Sequence, residues 1–384
     1  MRARLSADFA RFARELPREF PAHVRQVYGI DLTARFLGRT LPHPIGKGSG
    51  QLSLNPEQLE TDRAAGLAFV VLKTVIGEDF GGGRSMEAWA IHETRMQLEQ
   101  RRGTSGRMGW TVTWKGRGWD RSLEAYAALV QAARHAGDRP DGIVAVPSVK
   151  LHLPLLDEAF REDEYAHTLT ALARAWGDGP LPVEKDFSPT LAGDALADER
   201  SRVLRWIANV PDLIRRVTPG GAMVQLKLMT ARFDDAFQLA MLEAATHADG
   251  LTVFNRLFDA DRRVAYGGWD LSDRNLRVLG FARASQLQLP PLSGSGNVCS
   301  GRMIVAYARL GCESVQLHTF FQLPLGEYPA THGTRTQRAL HRLIFDPMDG
   351  LVAALLDLEE AGELARRNGE LRFLDLVPVA AAAR

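Results

Sequence analysis

Two cysteines in 384 residues, Cys299 and Cys312, leave nothing for a disulfide framework, and no CxxC or Cys/His cluster offers a zinc site. Neither sign of charge dominates. Lys and Arg number 47 against 46 Asp and Glu, and a net charge of +1 gives no basic face for nucleic acid or an anionic membrane. No apolar run reaches the roughly 18 residues needed to cross a bilayer, and no leader with a hydrophobic centre is present. These absences predict a cytoplasmic protein without integral membrane segments or a metal. The dinucleotide fingerprint GxGxxG is also missing after the first apolar run, and there is no internal repeat or low-complexity stretch.

What is present is 45% hydrophobic residues in a chain long enough for two ordinary domains or one large barrel. Leu5, Phe9, Phe12, Leu16, Phe20, Val24 and Val27 recur at helical spacing, interrupted by Pro17 and Pro21. This predicts an amphipathic helical extension over residues 1–30 that packs on its own domain. From about residue 40, short apolar runs alternate with helical periodicity. The runs are 43–48, 67–74, 142–149, 181–187, 222–228, 250–255, 290–296 and 314–320. Helical segments such as 57–65, 121–136, 199–217 and 301–310 lie between them. Continuous apolar strands alternating with helices predict a parallel sheet, and this number of strands predicts an α/β fold of the (β/α)8 TIM-barrel type. The barrel is expected over 31–334, with a long insertion or lid at 75–141 that includes a helix from Met86 to Arg101. A C-terminal helix and tail at 335–384 would pack on it.

The chemistry concentrates at the ends of the predicted strands. Gly294-Ser295-Gly296 closes the seventh and precedes a helix starting near Gly301, so bare backbone and a helix N-terminus could receive a phosphate, with Thr319 after the eighth strand adding a hydroxyl. Lys73 and Lys227 end apolar strands, where an ammonium needs an anion, water or a carbonyl substrate. Asn255 ends the sixth strand and can both donate and accept. Glu184, Lys185, Asp186 and Ser188 crowd the fourth. His318, one residue before Thr319, is expected in the core or solvent rather than in the site.

Taken in order, these segments resemble the dihydroorotate dehydrogenase family of FMN-dependent barrels from about Asp31 to Gln322. DLTARFLGRTLPHPIGKGSG is similar to the strands leading into that barrel and its NPxGxAxG. GLAFVVLKTV, VQLKLM and LTVFN resemble its two lysine strands and its asparagine strand. GGWDLS, PLSGSGNVCSG and ESVQLHT resemble its phosphate loops. The resemblance implies FMN, with Ser49, Gly50, Lys73, Asp186 and Lys227 along the flavin and Gly268, Gly294, Gly296 and Thr319 around its phosphate. It implies substrate contact by Asn255, catalytic roles for Lys73 and Lys227, and hydride passing between a substrate carbon–carbon bond and flavin N5. The assembly it suggests is a homodimer.

Two motifs depart from the family. Its fourth strand carries Ser or Cys before Pro as a base, whereas here VEKDFSPT aligns either through Ser188-Pro189, making Ser188 the base and putting Lys185 in place of the flavin-side asparagine, or through Glu184, putting Asp186 in place of that asparagine and losing the base; the first alignment is preferred. Its NxMGLxN segment becomes RMGWTVTWKG, in which Met108-Gly109 remain, the asparagines do not, and Trp110, Trp114 and Trp119 stand nearby. Aromatic faces there favour a flat or apolar small-molecule substrate other than dihydroorotate. A true dihydroorotate dehydrogenase, a lysine Schiff-base aldolase and a non-catalytic flavin scaffold are the alternatives.

Overall fold

The computed structural model describes all residues except 90–96, 104–105, 115–117, 188–199, 231–233, 260–261, 263 and 379–384, and excepts the side chains at 89, 114, 258–259 and 264. Eight parallel strands close into a barrel in chain order: β1 (Ile45–Lys47), β2 (Phe69–Ile76), β3 (Val144–Lys150), β4 (Leu181–Asp186), β5 (Ala222–Lys227), β6 (Gly250–Val253), β7 (Leu292–Ser295) and β8 (Cys312–Leu317). Each lies in or overlaps an apolar run read from the sequence. The runs are continuous because one face of each strand fills the barrel and the other meets helices; β2 is buried at all of its eight positions. The crossover helices begin at side-chain caps the sequence supplies, among them Asn55, Ser122, Asp234 and Ser300, each accepting a backbone N–H of the first turn.

The N-terminal end of the barrel is plugged by an antiparallel hairpin, Ala34–Phe36 with Arg39–Leu41. Its turn uses positive φ at both Leu37 and Gly38, 48° and 72°, and Phe36 stacks on Phe69 with ring centroids 4.2 Å apart. The opposite end is roofed by a four-stranded antiparallel sheet in the order Leu257–Asp259, Val264–Gly268, Met108–Trp114, Gln97–Arg102. Segments after β2 and after β6 combine to make it.

Two expectations need correction, and the interruption expected in the leader takes a definite form. The leader is two helices, Arg2–Phe12 and Phe20–Tyr28: Pro17 lies between them, and Pro21 sits in the first turn of the second, where its missing N–H costs nothing. Both pack on the C-terminal helix Arg335–Phe345, with Phe9 stacked on His341 at 4.5 Å and Phe12 against Phe345 at 4.9 Å. The helix expected over Met86–Arg101 is instead a short 3-10 turn, Glu87–Trp89, and the strand Gln97–Arg102, whose partner supplies hydrogen bonds that periodicity cannot see. The single C-terminal helix is broken at Asp346–Gly350 into Arg335–Phe345 and Leu351–Glu360, with Pro347 in the break. Among the described residues, no helix is long and apolar enough to cross a membrane.

Candidate active site at the C-terminal mouth of the barrel

A cavity of about 340 Å³ opens at the C-terminal ends of the strands. Ser49, Gly50, Lys73, Asp186, Lys227, Asn255, Gly268, Gly296, Thr319 and Trp110 all line it. They come from seven different strand ends or their following loops, so only closure of the barrel brings them together.

Its floor is a continuous polar network. Lys227 Nζ donates to Ser49 Oγ at 2.7 Å and stands 3.5 Å from Glu184. Glu184 is wholly buried below the cavity. Its Oε1 accepts from Ser148 at 3.3 Å and its Oε2 from Gln316 Nε2 at 3.1 Å, while Thr252 also accepts from Gln316. Burial pushes the Glu184 carboxyl above its ordinary pKa, and the Lys227 charge opposes that rise. Lys73 is 5% exposed and lies inside β2 rather than at its end, next to a shift in register between Val71 and Thr74.

The loops after β6 and β7 are held by two side chains. Asn275 Nδ2 donates to the carbonyls of Phe254 and Ser295 at 2.8 and 2.9 Å, and Tyr307 bonds the carbonyls of Ser295 and Gly296 at 2.8 and 2.7 Å. Gly296, at φ +89°, has no room for a Cβ against Asn275 and the Phe254 carbonyl; Gly268, at φ +111°, has none against the Trp110 carbonyl. Thr319 donates its hydroxyl to the Gly267 carbonyl at 3.1 Å. Gly294 differs: it does not line the cavity, and a Cβ there would stand 2.7 Å from the Tyr307 ring. Its lack of a side chain serves helix packing.

Above the floor, the ring of Trp269 covers Gly109 and its Nε1 donates to the Arg107 carbonyl at 3.0 Å, while Trp110 and Trp269 both face the cavity. Trp119 is packing: it is 2% exposed, edge-on to Tyr126, and bonded to the Ser122 carbonyl. The side chain of Trp114 and the whole of Ser188 lie outside the described residues.

Several lining residues are ones the sequence does not assign to the site. His318, expected in the core or solvent, lines the cavity beside Gly50. Burial first, then the nearby Lys227, Lys73 and Lys47 charges, lowers its pKa to about 3 and keeps it neutral. Lys150 ends β3 and pairs with Asp186 at 3.4 Å; burial holds its pKa well below the usual lysine range despite that carboxylate. It carries the same signal, a lysine closing an apolar strand, that singled out Lys73 and Lys227. Arg256, next to Asn255, is buried, which lowers its pKa to about 10. Gln51 and Gln316 complete the set. Nothing marks Gln51 in the sequence; its place follows from the loop after β1. Among the described residues no group of His, Cys, Asp and Glu is arranged to hold a metal.

No family model and no curated protein matches the chain. Among solved structures, it is similar to the dihydroorotate dehydrogenase (DHODH) of Eimeria tenella in complex with ferulenol. The TM-score is 0.58 at 12% sequence identity, over 94% of this chain and 93% of that one. At this identity the likeness establishes the fold alone, a TIM barrel.

Proposed function

We propose that the protein is an FMN-dependent oxidoreductase of the dihydroorotate dehydrogenase-like type, acting on a carbon–carbon bond of a small molecule other than dihydroorotate. The observation that carries this reading is one cavity that gathers Lys73, Lys227 and Ser49 with the bare backbone of Gly268 and Gly296 and with Thr319. Two features fit FMN. The positions of Gly268 and Gly296 exclude side chains and leave main chain at the cavity surface, and Gln316 Oε1, buried in the floor, has no hydrogen-bond partner among the described residues. Gly268, Gly296 and Thr319 would hold the phosphate, and Ser49, Gly50, Lys73, Asp186 and Lys227 the ring and ribityl chain. Bound there, FMN supplies a two-electron acceptor for substrate oxidation.

The chain's own residues do the rest. Lys227, steadied by Ser49 and Glu184, offers a cationic donor to negative charge that develops beside it. Asn255 presents an amide to the substrate, and Trp110 and Trp269 roof the space and exclude water. Ser188 is the proposed proton acceptor, and Ser188→Ala is expected to slow the chemical step about a hundredfold in single-turnover kinetics. The tryptophan roof in place of an asparagine clamp is the reason for excluding dihydroorotate.

Titration of the apoprotein with FMN tests the cofactor, and absence of binding overturns it. Stopped-flow mixing of the loaded protein with dihydroorotate tests the substrate: rapid bleaching at micromolar concentration would make this an ordinary pyrimidine enzyme. One observation favours a second reading, a Schiff-base aldolase: the desolvated amine of Lys150 faces the cavity. Borohydride trapping of a carbonyl substrate on Lys150, Lys73 or Lys227 would select it. We also propose a homodimer, which sedimentation would show.

A further inference from the structure

We propose that Gln51 reads a cis-amide edge, an N–H beside a C=O, on the molecule held in the cavity, and that this edge belongs to the flavin pyrimidine ring. The second half rests on the functional reading above. The first half rests on the geometry of two amides.

Gln51 lines the cavity on the loop after β1, and both its Nε2 and its Oε1 are buried without a hydrogen-bond partner among the described residues. A primary amide left with neither bond is costly, so both atoms call for a partner from outside the described protein, which a molecule in the adjoining cavity would supply. The loop that carries it is well anchored. Gln58 donates to the Gln51 carbonyl at 3.2 Å and accepts from Leu54 N at 2.6 Å, and Ser53 Oγ donates to the Val71 carbonyl at 2.9 Å. Two residues earlier, Ser49 Oγ receives the Lys227 ammonium.

Gln316 repeats the pattern on the floor. Its Nε2 is committed to Glu184 and Thr252, which leaves Oε1 as a buried acceptor with no donor among the described residues. It faces Gly48, where a Cβ would stand 3.4 Å away. Among the described residues, the two glutamines therefore bring to the cavity one donor–acceptor pair and one further acceptor that the protein leaves unused. A planar side-chain amide matches adjoining N–H and C=O groups with two parallel hydrogen bonds. A phosphate or an apolar ring edge satisfies neither arrangement. The isoalloxazine ring offers such an edge at N3–H and its neighbouring carbonyls, and a cyclic ureide or imide substrate offers the same one.

The test compares FMN with N3-methyl-FMN, binding to wild-type apoprotein and to Gln51→Leu and Gln51→Met, all read by flavin fluorescence. The expected result is that wild type binds FMN about tenfold more tightly than N3-methyl-FMN, and that both variants erase most of the difference by weakening FMN alone. Apoprotein melting temperatures verify that the variants fold. If wild type binds both flavins equally and the variants weaken uracil or hydantoin binding instead, the cis-amide edge stands and its source is the substrate. If the variants alter none of these ligands, the inference is overturned. Failure of wild type to bind any flavin overturns the functional reading, and the uracil and hydantoin arms then decide the role of Gln51 on their own.

Discussion

Lys227 shows how one buried side chain ties stability to chemistry. Its ammonium lies between Ser49 Oγ and a carboxylate with no access to water. Lys227→Ala should slow flavin reduction about a hundredfold, because the donor is lost where charge develops. It also leaves Glu184 buried without its cation, so the carboxyl pKa, already raised by burial, rises further. A raised carboxyl favours the folded state at low pH, so the variant's loss of stability should be smaller at pH 5 than at pH 8 in urea melts. His43 has the opposite sign. It is buried, donates through Nε2 to the Gly66 carbonyl at 2.8 Å, and accepts through Nδ1 from Ile45 N at 3.2 Å, so it holds no place for a second proton. Its folded pKa falls from 6.5 to about 4. The stability this neutral ring contributes is complete above pH 6.5 and is lost as the pH falls toward 4, by roughly 3 kcal/mol in all. His43→Gln should flatten the pH dependence of the urea midpoint across that window.

A buried ion pair between the barrel and its first crossover helix also takes a hydrogen bond from the C-terminal helix. Lys47, the last residue of β1, reaches Asp62 at 2.5 Å, and Thr336 of helix Arg335–Phe345 donates to the same carboxylate oxygen at 2.7 Å. Phe321 lies beneath the ammonium at 4.9 Å. Removing one member of such a pair strands a charge in the interior. Asp62→Ala is therefore expected to cost about 3–5 kcal/mol in denaturant unfolding, whereas the double variant Lys47→Met, Asp62→Leu should recover most of it. Failure of the double variant to recover would assign the cost to packing.

Across the whole molecule, the loops that carry the site come from most of the barrel's strand ends. A ligand that bridges them should stabilise all of them together. FMN at about a hundred times its dissociation constant should add about 2.7 kcal/mol, visible as a concentration-dependent rise in melting temperature. Riboflavin at equal concentration should add less, because the backbone around Gly268 and Gly296 then has no phosphate to hold. Equal shifts from the two would remove the phosphate role from these glycines.

The barrel was legible in the sequence because a strand buried on both faces must be a continuous apolar run, and helices between such runs allow few arrangements. Lys73, Lys227 and Asn255 could be singled out for the same reason: a polar group closing an apolar run needs a partner. Lys150 bears the same signal one residue beyond the apolar run 142–149. The roof was not legible. Gln97–Arg102 carries charge at several positions and gains its structure from Met108–Trp114, which pairs in turn with Val264–Gly268 from a loop about 150 residues further along the chain. Gln51 and His318 were hidden in the same way. Local pattern decided which segments become the strands of the barrel. Only closure of the barrel decided which side chains share the space above them, because hydrogen-bonding and charge partners distant in sequence meet only once the sheet has closed on itself.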